Sequence, residues 1–199
     1  MSKAPLTPED SLKIINNAIS NFKVNYKESS KVFLLWGWAL TLASFSNFII
    51  LKILQSAQAY ELMGTMSMAN WVVFVLISFA IQIPMLKKLN KDKKVIGHLD
   101  GYVSKLWQVS AVGFFVAAFI CIKLEIAPPP FMLLIAAIAT TTSGLLIKFK
   151  PLVYGGIAFF IFSIAQTFIT NEYIALINGL AIICGYLIPG YLLKSAKED

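Results

Sequence analysis

Leu62–Leu86 reads LMGTMSMANWVVFVLISFAIQIPML and runs directly into Lys87-Lys88-Leu89-Asn90-Lys91-Asp92-Lys93-Lys94. A run of 25 uncharged residues thus meets five lysines within eight positions. A bilayer core is about 30 Å thick and a helix rises about 1.5 Å per residue, so about 20 apolar residues reach across. Lysines at one end mark the side that stays in the cytoplasm. The pairing recurs along the chain. Runs free of Asp, Glu, Lys, Arg and His cover Val32–Leu51, Leu62–Leu86, Leu106–Ile122, Ile126–Ile147, Pro151–Asn171 and Tyr173–Leu193, with lengths of 20, 25, 17, 22, 21 and 21 residues. The shortest is flanked by Lys105 and Lys123, whose long stems can reach both interfaces.

The gaps between these runs alternate between lysine-rich and lysine-poor. Assigning the termini and every second gap to the inside puts 15 lysines there and leaves only Lys52 and Lys123 outside. An odd number of crossings scrambles this sorting. The sequence therefore predicts an all-α polytopic membrane protein. Residues 1–31 form a cytoplasmic amphipathic region, 32–193 a domain of six transmembrane helices arranged as three hairpins, and 194–199 a short cytoplasmic tail. Hydrophobic residues make up 58% of the chain, in keeping with a lipid bilayer as its principal partner. The first 30 residues lack the short apolar core of a secretory signal, so the first span is expected to direct insertion.

The net charge of +7 is read as this topological bias and not as a nucleic-acid surface. All 17 basic residues are lysine, so the planar fork that grips phosphate or carboxylate is missing. Cys121 lies at the outer end of the third run and Cys184 near the middle of the sixth, on the order of 15 Å apart in depth. They are expected to be free thiols.

Ahead of the first run, Thr7-Pro8-Glu9-Asp10 has the composition of a helix start. Leu12, Ile15, Ile19, Phe22 and Tyr26 follow at spacings of three and four, which puts them on one helical face. Three acids balance three lysines in segment 7–30, so the polar face has no basic excess to draw it to anionic lipid. Two readings follow: packing on the protein's own cytoplasmic side, or docking of a protein partner or second copy.

The spans hold packing signals and little chemistry. Trp36, Trp38, Trp107 and Tyr154 sit at inner ends and Trp71 toward an outer end, as interfacial anchors do. Small residues recur four apart at Ala39 and Ala43, Gly113 to Cys121, Ala136 to Gly144 and Ala181 to Pro189, which favours close helix approach. Pro84 and Pro189 are expected to perturb the inner ends of their helices. Ser143–Lys148 and Pro189–Lys194 are weakly alike, a hint of repeated hairpins. No ionisable residue lies inside a span, and His98, the single histidine, has no Cys beside it. An enzyme, a resident metal and a cofactor are therefore not expected. Asn47, Gln82, Gln108, Gln166 and Asn178 are uncharged amides within the spans. They either join helices by hydrogen bonds or line a polar cavity for a small neutral or weakly polar solute.

Glu9-Asp10-Ser11-Leu12 through Phe22, followed by Phe33-Leu34-Leu35-Trp36-Gly37-Trp38, resembles a group of small bacterial six-pass integral membrane proteins. These carry an amphipathic N-terminal helix before an aromatic-rich first span. The resemblance covers roughly the first quarter of the chain and goes with a bacterial cytoplasmic membrane; the lysine sorting puts both termini inside. It implies no activity. The functional expectation is a non-enzymatic scaffold, accessory or regulatory subunit engaging a protein through Leu12, Ile15, Ile19, Phe22 and Tyr26. The alternative is a small transporter or channel.

Overall fold

The computed structural model describes the backbone of residues 8–92 and 98–195, and the side chains of 30–89 and 101–195. Among the described residues every regular element is helical: α1 Pro8–Ser56, α2 Tyr60–Asp92, α3 His98–Leu124, α4 Pro129–Leu146, α5 Lys150–Gln166 and α6 Tyr173–Ile182. A π turn, Ile183–Leu187, continues α6 into α7, Ile188–Ser195.

The expected N-terminal helix and first span are one element. α1 runs 49 residues from Pro8 through the anticipated boundary at Lys31. The reason is local: no Gly or Pro lies between Pro8 and Gly37, so nothing breaks the hydrogen-bond ladder. The side chains of Leu12, Ile15, Ile19, Phe22 and Tyr26 lie outside those described. At the other end of the chain the helix widens just before Pro189. Proline has no N–H to offer the Gly185 carbonyl, and the π turn ends two residues earlier. Pro84 is accommodated within α2, which continues to Asp92.

Five stretches are long and apolar enough to cross a membrane: Ser30–Ser56, Tyr60–Leu89, Gly101–Leu124, Pro129–Leu146 and Tyr173–Ser195. The run Pro151–Asn171 is helical only over Lys150–Gln166, 17 residues, because the chain turns off through successive short bonds from Thr167, Phe168 and Ile169 to Ile164, Ala165 and Gln166. α1, α3 and α4 end alike. Gln58, Glu125 and Lys148 adopt φ of 55°, 54° and 56°. The next residue then bonds back five positions, Ala59 to Leu54, Ile126 to Cys121 and Phe149 to Gly144. This is the left-handed helix stop with a residue other than glycine in it.

The core lies where α4, α5, α6 and the π turn meet. It is built from Leu133, Ala136, Ala137, Phe159, Ala181, Ile182 and Tyr186. Two of its small residues, Ala136 and Ala181, belong to the stripes spaced four apart in sequence, which favour close backbone approach. A Cβ on Gly156 would stand 2.1 Å from Thr141 Oγ1, and one on Gly144 2.7 Å from the Val153 nitrogen. Farther along, Ser163 Oγ donates to the Pro130 carbonyl at 2.8 Å. These three contacts run in antiparallel register over nearly all of α4. α1 packs on α6, the π turn and α7; α2 packs on α1, and α3 on α4. The central windows of α2 and α3 are only 6% and 11% buried, so Val72, Val73, Leu76, Val112, Phe115 and Phe119 face outward. Apolar side chains on nearly every side of a helix need a solvent of hydrocarbon. Both cysteines are free, with Cys121 buried.

Candidate functional site: a buried amide layer

With no hydrophobic gain between helices in lipid, polar side chains do much of the joining. Trp36 Nε1 donates to Gln82 Oε1 at 3.0 Å, linking α1 to α2. Asn70 adds a second link, donating to the Ala43 carbonyl at 2.9 Å and accepting from Ser46 Oγ at 2.7 Å. Trp107 Nε1 donates to Ser143 Oγ at 3.2 Å between α3 and α4, and Trp38 Nε1 to the Tyr191 hydroxyl at 3.0 Å between α1 and α7. Such bonds contribute about 0.6 kcal/mol each on average.

One group of these residues forms a layer between α1, α5 and α6. Gln166 Nε2 donates to Asn178 Oδ1 at 3.3 Å, and Asn178 Nδ2 donates to Ser44 Oγ at 3.0 Å. Gln166 closes α5, Asn178 sits in the second turn of α6, and Ser44 belongs to the buried stripe Thr41, Ser44, Asn47 on α1. All are more than nine-tenths buried: Gln166 is 1% exposed, Asn178 5%, Asn47 6% and Ser44 0%. Two acceptors in this layer have no donor from the protein, Gln166 Oε1 and Asn47 Oδ1. An unsatisfied buried acceptor costs about 1–3 kcal/mol, so this pair is the least expected feature of the bundle. The Thr41 hydroxyl, one turn inward from Ser44, is also without a partner.

An ion pair closes the layer toward the end of the bundle. Lys52 Nζ binds the Glu172 carboxylate, joining α1 to the residue that precedes α6. The ammonium also lies 4.9 Å from the Tyr173 ring centroid and 5.9 Å from that of Phe48, and these rings are 5.6 Å apart. The hydrogen bond from Lys52 holds the Glu172 carboxyl below the usual carboxylate range. Both charges are thereby matched where the chain leaves the apolar zone.

An aromatic knot occupies the opposite half. Phe33 and Trp107 each lie 6.1 Å from Tyr186 and 6.1 Å from one another, and Phe159 meets Tyr186 edge-on at 4.8 Å. The knot ties α1, α3 and α5 to the π turn. Gly185 makes room for Phe159, since a Cβ there would stand 2.2 Å from the ring.

The five expected amides thus separate. Gln166 and Asn178 bond directly, and Asn47 stands on the next α1 turn from their partner Ser44. Gln82 is engaged by Trp36 between α1 and α2. Gln108 lies on an exposed face of α3 and reaches Ser104 on its own helix at 3.5 Å. Sequence reading passed over Ser44, Asn70 and the Lys52–Glu172 pair. Ser44 carries no signal by type, but its place between Thr41 and Asn47 at helical spacing is one. Among the described residues no three His, Cys, Asp or Glu side chains converge as a metal site does. Comparison with family models, curated proteins and solved structures yields no match.

Proposed function

We propose that the chain is a non-catalytic integral membrane protein whose α1 projects from the bilayer to engage a protein partner. The continuity of α1 carries this reading. Its apolar span begins near Ser30, so Pro8–Ser29 extends the same axis by about 33 Å beyond it. A helix continuous with a crossing segment does not turn to lie in the interface plane. The stripe Leu12, Ile15, Ile19, Phe22 and Tyr26 is then held away from lipid, and an apolar helical face in water is stabilised by protein. The balanced charge of segment 7–30 favours the same choice over anionic lipid.

The arrangement that goes with this reading is six crossings with both termini in the cytoplasm of a bacterial cell. The 15-to-2 lysine asymmetry supports it, and so does the antiparallel register of α5 along α4 from Gly144–Val153 to Pro130–Ser163. A helix that tracks a crossing helix for its full length crosses with it. Its 17 residues span about 25 Å, and Lys148 and Lys150 lie at one end.

The test replaces Ile15, Ile19 and Phe22 together with serine in the full chain. Light scattering gives the mass in mild detergent, and mass spectrometry identifies co-purifying proteins. The triple variant is expected to lose either the higher-order mass or the co-purifying partner. Unchanged mass together with an unchanged protein set contradicts the reading.

A further inference from the structure

The charged side chains of the bundle are sorted by end. The Trp36–Gln82 bond and the Phe33–Trp107 contact bring the start of the α1 span beside the end of α2 and the start of the α3 span. The Trp107–Ser143 bond adds the α4–α5 turn to the same end, and Trp38–Tyr191 adds the end of α7. Lys31, Lys87, Lys88 and Lys105 therefore share this end with Lys148, Lys150 and Lys194, and all of them are exposed. The acids among the described residues, Glu61, Glu125 and Glu172, all lie at the other end. There Glu172 pairs with Lys52, and among the described residues no other ion pair forms. Topological sorting accounts for where the lysines are, but acids weigh little in it. The result is an end of the bundle whose positive charge no described side chain neutralises.

We propose that this lysine rim is a binding surface for anionic phospholipid, of the phosphatidylglycerol class. The neighbours of the lysines select a lipid. Lys87 stands one turn beyond Ile83, Lys105 one turn before Val109, Lys150 one turn before Tyr154, and Lys194 one turn beyond Tyr191. Residues three or four apart share a helix face, and these four neighbours are all exposed. Each lysine thus caps an outward apolar or aromatic surface. A cation at the rim of an apolar face matches an amphiphile, with its phosphate at the ammonium and its acyl chain along the helix. A free phosphate or a nucleic acid has nothing to place on the apolar part. The central windows of α2 and α3, only 6% and 11% buried, give the chains their seat. Lysine meets a phosphate as a point charge and imposes no planar geometry, so headgroup charge and not headgroup shape is recognised. The proposal depends on the bundle lying in a bilayer. It depends neither on a protein docked to α1 nor on which compartment this end faces.

The tryptophans supply the readout, because Trp36, Trp38 and Trp107 lie toward this end and Trp38 is 48% exposed. The full chain is placed in phosphatidylcholine bilayers with rising fractions of brominated phosphatidylglycerol or brominated phosphatidylcholine, and quenching gives the relative binding constant. Phosphatidylglycerol is expected to bind about fivefold tighter, the equivalent of roughly 1 kcal/mol for one lysine. That preference should vanish in about 1 M sodium chloride. Replacing Lys105, Lys150 and Lys194 together with glutamine should cut it to about half or less. Unchanged quenching by brominated phosphatidylcholine then shows that the variant is still folded in the bilayer. Lys123→Gln, at the other end, should leave the preference intact. Equal binding of the two lipids by the wild type overturns the proposal. So does a preference that survives high salt or the triple replacement, or one that disappears with Lys123→Gln. Sodium phosphate that alters the emission in pure phosphatidylcholine bilayers more than chloride at the same ionic strength would assign the rim to free phosphate, and would overturn the lipid assignment.

Discussion

Glu172 shows how much a single side chain settles at the end of the bundle. Lys52 donates to its carboxylate and holds its titration below the ordinary range. A depressed folded-state value means that the contribution to stability is present above the unfolded value of about 4.3 and fades as pH falls through the lower folded value. Glu172→Gln should therefore melt below the wild type at pH 7, with the difference shrinking toward pH 3. An equal difference at both pH values would mean that the charge is not the source. Gly156 offers a steric counterpart. A methyl there meets Thr141 Oγ1 and the Thr141 backbone, so Gly156→Ala must part α4 from α5. Overpacking of this kind costs about 1–3 kcal/mol, to be read as a lower melting temperature in detergent. A variant as stable as the wild type would show that α4 and α5 separate freely. At this scale the sequence displays residue types but not their neighbours. Gln108 and Gln166 look alike in sequence, yet one is exposed and the other 1% exposed. The difference is helix rotation, and a helix apolar all round does not encode its rotation.

Helices were the most legible level, because uncharged runs bounded by lysine translate directly into apolar cylinders. Two features exceeded that reading. α1 absorbed the amphipathic segment because no glycine or proline interrupts residues 9–36, a fact visible in sequence once continuity is asked about. α5 ended early at Gln166, where short i to i−3 bonds take over, and no breaker residue announces this. The stops after α1, α3 and α4 carry their own consequence. Gln58 holds φ of 55° with a side chain that disfavours it. Gln58→Gly removes that cost and should stabilise the α1–α2 turn by about 0.5–1 kcal/mol, seen as a higher melting temperature. A fall would mean that the Gln58 side chain contributes contacts of its own. The serine replacement on α1 also belongs at this level, since it tests an element's face and not any one contact.

At the scale of the whole molecule, α4 pairs with α5, α1 packs on α6, the π turn and α7, and α2 and α3 attach through α1 and α4 respectively. That distribution was not legible in sequence, because every span is similarly apolar and neighbour order is set by which small and polar residues meet. What the sequence does carry is an alternation of lysine-rich and lysine-poor gaps, which under the six-crossing proposal puts 15 lysines on one side and Lys52 and Lys123 on the other. That proposal requires α5 to cross with only 17 helical residues. The direct test is thiol labelling on intact cells. Cys121 and Cys184 are first replaced, and a single cysteine is placed at Lys148 or Asn171, at the two ends of α5. An impermeant maleimide should modify Asn171→Cys from outside and reach Lys148→Cys only after the membrane is opened. Both positions responding from the same side would contradict the six-crossing architecture and the cytoplasmic placement of α1 that follows from it.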